Sequence, residues 1–323
     1  MGALIRNDPK NLKFIFVVGP TATGKSSWAI QQAEKYQGSV LNIDSVQFYQ
    51  GLEIGSAAPN KSEKARVPHY LYSYISAPEE MTAGKYLRDF YQLIETTSLK
   101  SPIFIVGGTG FYVQALEKGM YDLEPITSDL REKIESELKN SGPEKLFLEL
   151  NLSDPTHQIH INDHYRLVRA IEILRHHKKT PADFKNLKHL NKNAFPFPYF
   201  KVGFSLPKEE ALIKVQKRAE WMLANGMIEE TQKCLNLGLE NWSPLSSVGY
   251  KDVVNFLLHN NSREELLSNV VTSTMRLIKK QKTWFKRDLT ILWSDFSSVS
   301  LNVIEAQLHQ FLTAIDPPVV AKS

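Results

Sequence analysis

Eight residues near the start of the chain carry its densest chemistry: Gly19, Pro20, Thr21, Ala22, Thr23, Gly24, Lys25 and Ser26. Two glycines with four residues between them, then Lys and a hydroxyl, satisfy the pattern of a phosphate-binding loop, or P-loop. Glycines let backbone N–H groups crowd around phosphate oxygens, a helix N-terminus adds positive potential, and Lys25 adds a full charge. Ser26 can offer its hydroxyl to Mg²⁺. The pattern says that a phosphate binds and leaves open which molecule carries it. Asp44 is the second candidate, closing the apolar segment Ser39–Ile43 26 residues after Val18. That interval fits one helical crossover, which places Asp44 at the same edge as Lys25. It could ligate Mg²⁺ in an NTPase or act as general base on an acceptor; an Asp that merely caps a turn is the unreactive reading. Gly107-Gly108-Thr109-Gly110 ends another apolar run, where glycine backbone can approach a ligand and Thr109 can donate a hydroxyl.

Two basic segments point to a different partner. Arg166 and Arg169 are three residues apart and share a helix face. Between Arg276 and Arg287, six of twelve residues are Arg or Lys and none is acidic, with Trp284 and Phe285 among them. Basic residues interleaved with aromatics suit a nucleic-acid backbone with unstacked bases nearby, and a solvated helix face is the plainer alternative.

These residues need elements to hold them. Phe14–Val18, Ser39–Ile43 and Pro102–Val106 read as buried parallel strands, with helical patterns following the first loop and at 79–97. Ligands bind beyond the carboxyl ends of such a sheet, so the loops after Val18, Ile43 and Val106 are expected to converge. From about 121 to 199 strand-like runs give way to helical patterns, Ser128–Asn140 and Asp163–His177, with a Pro-rich joint at 194–198. The expectation is an α/β fold, a P-loop parallel-sheet core carrying a helical insertion domain. Its parts are 1–120 as the first core segment, 121–199 as the insertion and 200–323 as a mainly helical return. Val202–Phe204 rejoins the sheet in this reading, while Tyr70, Tyr72 and Tyr74 line one strand face and Trp221–Leu223 packs in a core.

Composition limits the alternatives. The 323 residues are 42% hydrophobic and 23% charged, close to the soluble globular average. A net charge of +4 makes any nucleic-acid surface a local patch. The single Cys234 argues against a disulfide framework or a cysteine-rich zinc site. The first residues lack the apolar core of a signal peptide, and the run Phe14–Val18 is far too short to span a membrane, so a cytoplasmic protein is expected.

An ordered set of segments then resembles the tRNA dimethylallyltransferase, or tRNA isopentenyltransferase, family. They are GPTATGKS at 19–26, DSVQFY at 44–49, GSAAP at 55–59, VPHY at 67–70, VGGTGFYVQAL at 106–116, YRLVRAIEIL at 165–174, MLANGMIEE at 222–230, VGYK at 248–251 and KKQKTWFK at 279–286. The resemblance implies transfer of a dimethylallyl group from its diphosphate to N6 of adenosine 37 beside the tRNA anticodon, with Mg²⁺. It implies Asp44 as catalytic base, Lys25 and Ser26 in phosphate-loop roles, Thr109 on the GGT threonine and Arg218 on the diphosphate. It implies tRNA contact by Asp44, Ser45, Val46 and Gln47, and by Gly110, Tyr165, Arg166 and Arg169. The same holds for Ser246, Ser247, Val248, Gly249, Tyr250 and Lys251, and for Lys279, Lys280, Gln281, Trp284 and Lys286. The chain departs from the family at Tyr165, where Gln is common, and at Lys214, Ser246 and Lys251, where Arg is common. With no Cys/His finger after residue 287, the bacterial form fits, and a monomer is expected. A P-loop small-molecule or nucleotide kinase is the alternative; it would share the loop and the Asp-ended strand but gives no reason for the basic aromatic segment.

Overall fold

Residues 12–120, 126–186, 195–259 and 262–314 are described by the structure, a computed structural model. The reading of the first eleven residues and the boundary at 121 lie outside them. Phe14–Val18 is buried along its whole length as β1, the middle of the sheet. β2 is Ser39–Asn42, β3 His69–Tyr70, β4 Ile103–Gly107, β5 Tyr199–Phe204 and β6 Leu292–Ser294. The order is β3-β2-β4-β1-β5-β6, and every neighbouring pair is parallel. A parallel sheet is covered on both faces, which is why β1 and β4 are unbroken apolar runs rather than alternating ones.

The register aligns the strand ends. Val18 lies opposite Gly107 on one side and Gly203 on the other, and Asn42 lies opposite Val106. All chain exits after β1, β2 and β4 therefore leave the same edge. One face packs Ile15, Val17, Phe104 and Phe204 against Trp28 and Ala33 of helix Lys25–Lys35 and against Ile304 and Leu308 of helix Ser298–Thr313. The other carries Phe14, ring to ring with Phe90 of helix Ala83–Thr96 and with Phe197.

The chain divides into two compact units. One comprises 1–115 with 196–323, the other 116–195. In the second unit, helices Ser128–Ser141, Glu144–Ser153 and His164–His177 bury Ile134, Leu146, Leu150, Leu167 and Ile171 together. The Arg175 guanidinium ties them by forked hydrogen bonds to Glu137 and Glu149, which raises its pKa further.

Three expectations change. Beyond the expected return at Val202–Phe204, which is β5, the last part of the chain adds a further strand, β6. Strand β3 stops at Tyr70 because Leu71 and Ser73 adopt positive φ, so Tyr70, Tyr72 and Tyr74 share no strand face. Trp221 is 55% exposed, since only Ala219 and Met222 of its helix turn inward there. No described helix is long and apolar enough to cross a membrane.

Candidate active site

The loop Gly19–Ser26, the expected phosphate loop, is built from backbone that few residues tolerate. Gly19 has φ +129°, and a Cβ there would press on the Phe204 backbone of the neighbouring strand. Gly24, at φ +98°, is the N-cap of helix Lys25–Lys35 and supplies no side-chain cap. The first-turn N–H groups of that helix thus remain for an anion. Thr23 is buried, and its hydroxyl donates to the Pro20 carbonyl at 3.0 Å, bracing the loop from within. The Lys25 ammonium donates to the same carbonyl at 3.2 Å. Burial pushes its pKa down to about 8; the Asp44 carboxylate works against this and Arg218 adds to it. Ser26 is exposed and lines the cavity above the loop.

Asp44 is aimed by its neighbours. Its N–H donates to the Asn42 side-chain oxygen at 2.8 Å, while the Asn42 amide donates to the Asp44 and Leu71 carbonyls. Val46 N–H donates to one Asp44 carboxylate oxygen at 3.1 Å. Thr109 Oγ1 accepts from Ser45 N–H at 3.0 Å and lies 3.2 Å from Ser45 Oγ, so it pins the Asp44 turn to the second glycine loop. The close fit explains Gly107: a Cβ there would stand 2.7 Å from the Ile43 carbonyl carbon and 2.8 Å from Asp44 N.

Two long helices close the site, Lys208–Ala224 and Arg263–Phe285. From the first, Arg218 donates to Thr21 Oγ1 at 2.9 Å; burial lowers its pKa, opposed by Asp44. From the second, Gln281 accepts from Thr21 N–H and donates to the Gly108 carbonyl, both at 2.9 Å, clamping one glycine loop to the other. Two adjoining cavities result, sharing Thr21, Asp44, Ser56, Arg218 and Met222. One is polar and lined by Gly24, Lys25, Ser26 and Lys214. The other has an apolar wall of Val215, Ala219, Met227, Val270 and Leu277. Cations and free N–H groups at one end, an aliphatic slot beside them and a carboxylate between suit an amphiphile with an anionic head. Among the described residues no three His, Cys, Asp or Glu side chains gather as a metal site. Mg²⁺ commonly keeps few protein ligands and binds through phosphate oxygens, which the exposed Ser26 hydroxyl fits.

Several residues expected at the tRNA surface have inward roles. Tyr250 is fully buried, and its hydroxyl donates to Glu230 at 2.6 Å and lies 2.7 Å from the Leu52 carbonyl. Glu230 in turn accepts from the Ile54 and Gly55 N–H groups, holding the turn that lends Gly55 and Ser56 to the cavities. Burial raises its pKa despite these bonds. Gln47 donates to the Ser56 and Ala57 carbonyls. Gly110 is buried beneath the Trp284 indole, with no room for a Cβ. Ser246 and Ser247 donate to carbonyls of their own turn, and Val46, Val248 and Gly249 line the apolar cavity. Lys251, Lys279, Lys280 and Lys286 are exposed. In the second unit Tyr165 is 74% exposed and Arg166 is exposed beside Asp163, whereas Arg169 is paired with the buried Glu172 at 2.8 Å. Asn42 and Glu230 escaped the sequence reading of the site, and Lys214, noted there only where the family commonly has Arg, lines the polar cavity. Asn42 had a signal in its place two residues before Asp44; Glu230 had none, because its partners are distant in the chain.

A model of the IPP transferase family matches residues 47–288. A tRNA dimethylallyltransferase of Bdellovibrio bacteriovorus is 45% identical over 287 residues, 88% of this chain and 93% of that protein. The chain belongs to the IPP transferase, or tRNA dimethylallyltransferase, family. A second family member, the tRNA dimethylallyltransferase of Cytophaga hutchinsonii, is 35% identical across 93% of this chain and 99% of its own. The crystal structure of a Bacillus halodurans tRNA isopentenylpyrophosphate transferase superimposes with a TM-score of 0.65 at 27% identity, covering 94% of this chain and 96% of that one. A eukaryotic dimethylallyltransferase shares the fold, with a TM-score of 0.74 at 23% identity over 93% of this chain and 77% of its own. The family places this α/β chain among transferases rather than kinases.

Proposed function

We propose that this prenyltransferase moves a dimethylallyl group from dimethylallyl diphosphate to N6 of adenosine 37 in the tRNA anticodon loop. The observation that carries the reading is the pair of joined cavities, one cationic and one aliphatic, meeting at Asp44. The diphosphate would lie on the N–H groups before helix Lys25–Lys35, between Lys25 and Arg218, and the five-carbon chain against Val215, Ala219 and Leu277. An exocyclic adenine amine is a weak nucleophile because its lone pair is delocalised. As N6 attacks the allylic C1, the C1–O bond breaks and its electron pair leaves with the diphosphate. Asp44 accepts the N6 proton, keeping electron density on nitrogen. Lys25, Arg218 and the loop N–H groups stabilise the charge that grows on the leaving oxygens. Ser26 would hold Mg²⁺ together with diphosphate oxygens, and the ion would supply further leaving-group stabilisation. Reaching N6 requires the base to be flipped out of its stack. We assign the protein to the cytoplasm, acting as a monomer.

Radiolabel transfer from dimethylallyl diphosphate to bulk tRNA tests the reaction directly. Label is expected in tRNA and absent from free adenine nucleotides. Dimethylallyl diphosphate with Mg²⁺ is expected to raise the melting temperature by mass action, and ATP to do so weakly without being hydrolysed. ATP hydrolysis dependent on Lys25, with no label in tRNA, would return the kinase reading.

A further inference from the structure

Phe296 lies beyond the segment that the family model matches, two residues past β6. Its φ of +65° is a left-handed conformation that an aromatic residue rarely adopts. Local hydrogen bonds hold it there. Phe296 N–H donates to Ser294 Oγ at 3.0 Å, and the Asp295 carboxylate accepts from Ser297 N–H at 2.9 Å and Ser300 Oγ at 2.7 Å. The turn delivers the ring to the underside of the phosphate loop. It stacks on Phe204 with centroids 4.4 Å apart and planes 23° from parallel. A Cβ at Gly24 would stand 3.3 Å from its Cζ, and Phe296 packs, as Ala22 of the loop does, against the buried cluster of Leu206, Ala211, Val215 and Ile278.

The other side of this contact is a charge. Lys214 lines the polar cavity, and its Nζ sits 5.8 Å from the Phe296 ring centroid. It pairs with no carboxylate among the described residues. A lysine stem of four carbons has no fixed direction of its own, and the negative face of an aromatic ring attracts an ammonium.

We propose that Phe296 is a positioning residue for the diphosphate: it backs the loop at Gly24 and holds the Lys214 ammonium over the phosphate cavity. This rests on the diphosphate reading above. Lys214 supplies the charge, and Phe296 sets where it stands. Phe296→Leu keeps an apolar plug but removes the ring face, whereas Phe296→Tyr keeps the face.

The test is a double-mutant cycle of Phe296→Leu and Lys214→Met, with Phe296→Tyr as the rescue. The readouts are calorimetric binding of inorganic pyrophosphate with Mg²⁺, steady-state kinetics and melting temperature. Phe296→Leu is expected to weaken pyrophosphate and raise the dimethylallyl diphosphate KM about three- to tenfold, the scale of one cation–π contact. The tRNA KM and kcat should move less than about twofold, the mark of lost ground-state binding to one substrate. Phe296→Tyr should restore pyrophosphate affinity, and the double variant should bind no more weakly than Lys214→Met alone. Additive losses in the cycle overturn the proposal, as does unchanged pyrophosphate affinity in Phe296→Leu. So does a rise in both KM values that follows a lower melting temperature and is not rescued by Tyr. A wild type that binds pyrophosphate but transfers no dimethylallyl group sinks the prenyl reading instead, and the binding cycle still decides the role of Phe296.

Discussion

Asp44 and Lys25 line the same polar cavity, and each makes a separate prediction. Asp44→Asn keeps the shape that accepts Val46 N–H but loses the base. Its single-turnover rate should fall by about 10² or more while tRNA affinity stays near wild type. A near-normal rate in that variant removes Asp44 from proton transfer. Lys25 predicts a pH effect. Its folded pKa of about 8 lies below the ordinary 10.5, so the folded protein binds fewer protons than the unfolded chain between those values. This contribution to stability is complete above 10.5 and is lost as pH falls through about 8. A bound diphosphate favours the ammonium and should draw the proton back. Near pH 8, pyrophosphate binding should therefore take up a fraction of a proton beyond what pyrophosphate's own titration contributes, measured by calorimetry in two buffers of different ionisation enthalpy. No uptake beyond pyrophosphate's own titration would show Lys25 already charged in the free protein.

At the scale of elements, the site depends on loops packed backbone to backbone. Gly107→Ala would drive a Cβ into the Ile43–Asp44 backbone, 2.7 to 2.8 Å away, where nothing flexible can yield. It should cost about 1–3 kcal/mol of stability and lower kcat, because the strand end carrying Asp44 must shift. Gly51→Ala is the control. Its φ is +80° with nothing within 4 Å of a Cβ, so it should cost about 1 kcal/mol and leave kcat unchanged. Equal kcat in the two variants would mean that the β2–β4 contact does not aim the base. Tyr250→Phe probes the Glu230 tie. Losing a hydrogen bond to a carboxylate should cost about 1.5–3 kcal/mol in denaturant titration. A tRNA affinity that drops with no loss of stability would restore Tyr250 to the RNA surface.

At the scale of the whole molecule, a net charge of +4 leaves tRNA attraction to local clusters. Lys279, Lys280 and Lys286 are exposed on or just beyond helix Arg263–Phe285, whereas Lys282 turns inward and donates to the Leu206 carbonyl at 2.7 Å. Replacing the three exposed lysines by Gln should weaken tRNA binding and flatten the log–log salt slope, by at most about 0.7–0.9 per lost phosphate contact. Melting temperature and saturated turnover should hold. Wild-type affinity and slope in the triple variant would make this a solvated helix face.

Local chemistry was legible in the residues because it is local physics. A phosphate loop needs its glycines, Lys25 and Ser26 contiguous, and a buried parallel strand needs an unbroken apolar run such as Phe14–Val18. The βαβ spacing also put Asp44 at the right edge of the sheet. The division of labour among the remaining polar residues was decided by tertiary structure alone. Gln281 and Tyr250 lie in segments that resemble RNA-contacting ones, yet their polar atoms meet groups more than a hundred residues away, Gly108 and Leu52. Trp221 turned outward because its helix buries a different stripe, and Phe296 reached Gly24 only through the addition of β6 beside β5. Periodicity and spacing report which face or edge a residue occupies; which buried group completes its hydrogen bonds depends on contacts that exist only once distant segments have packed.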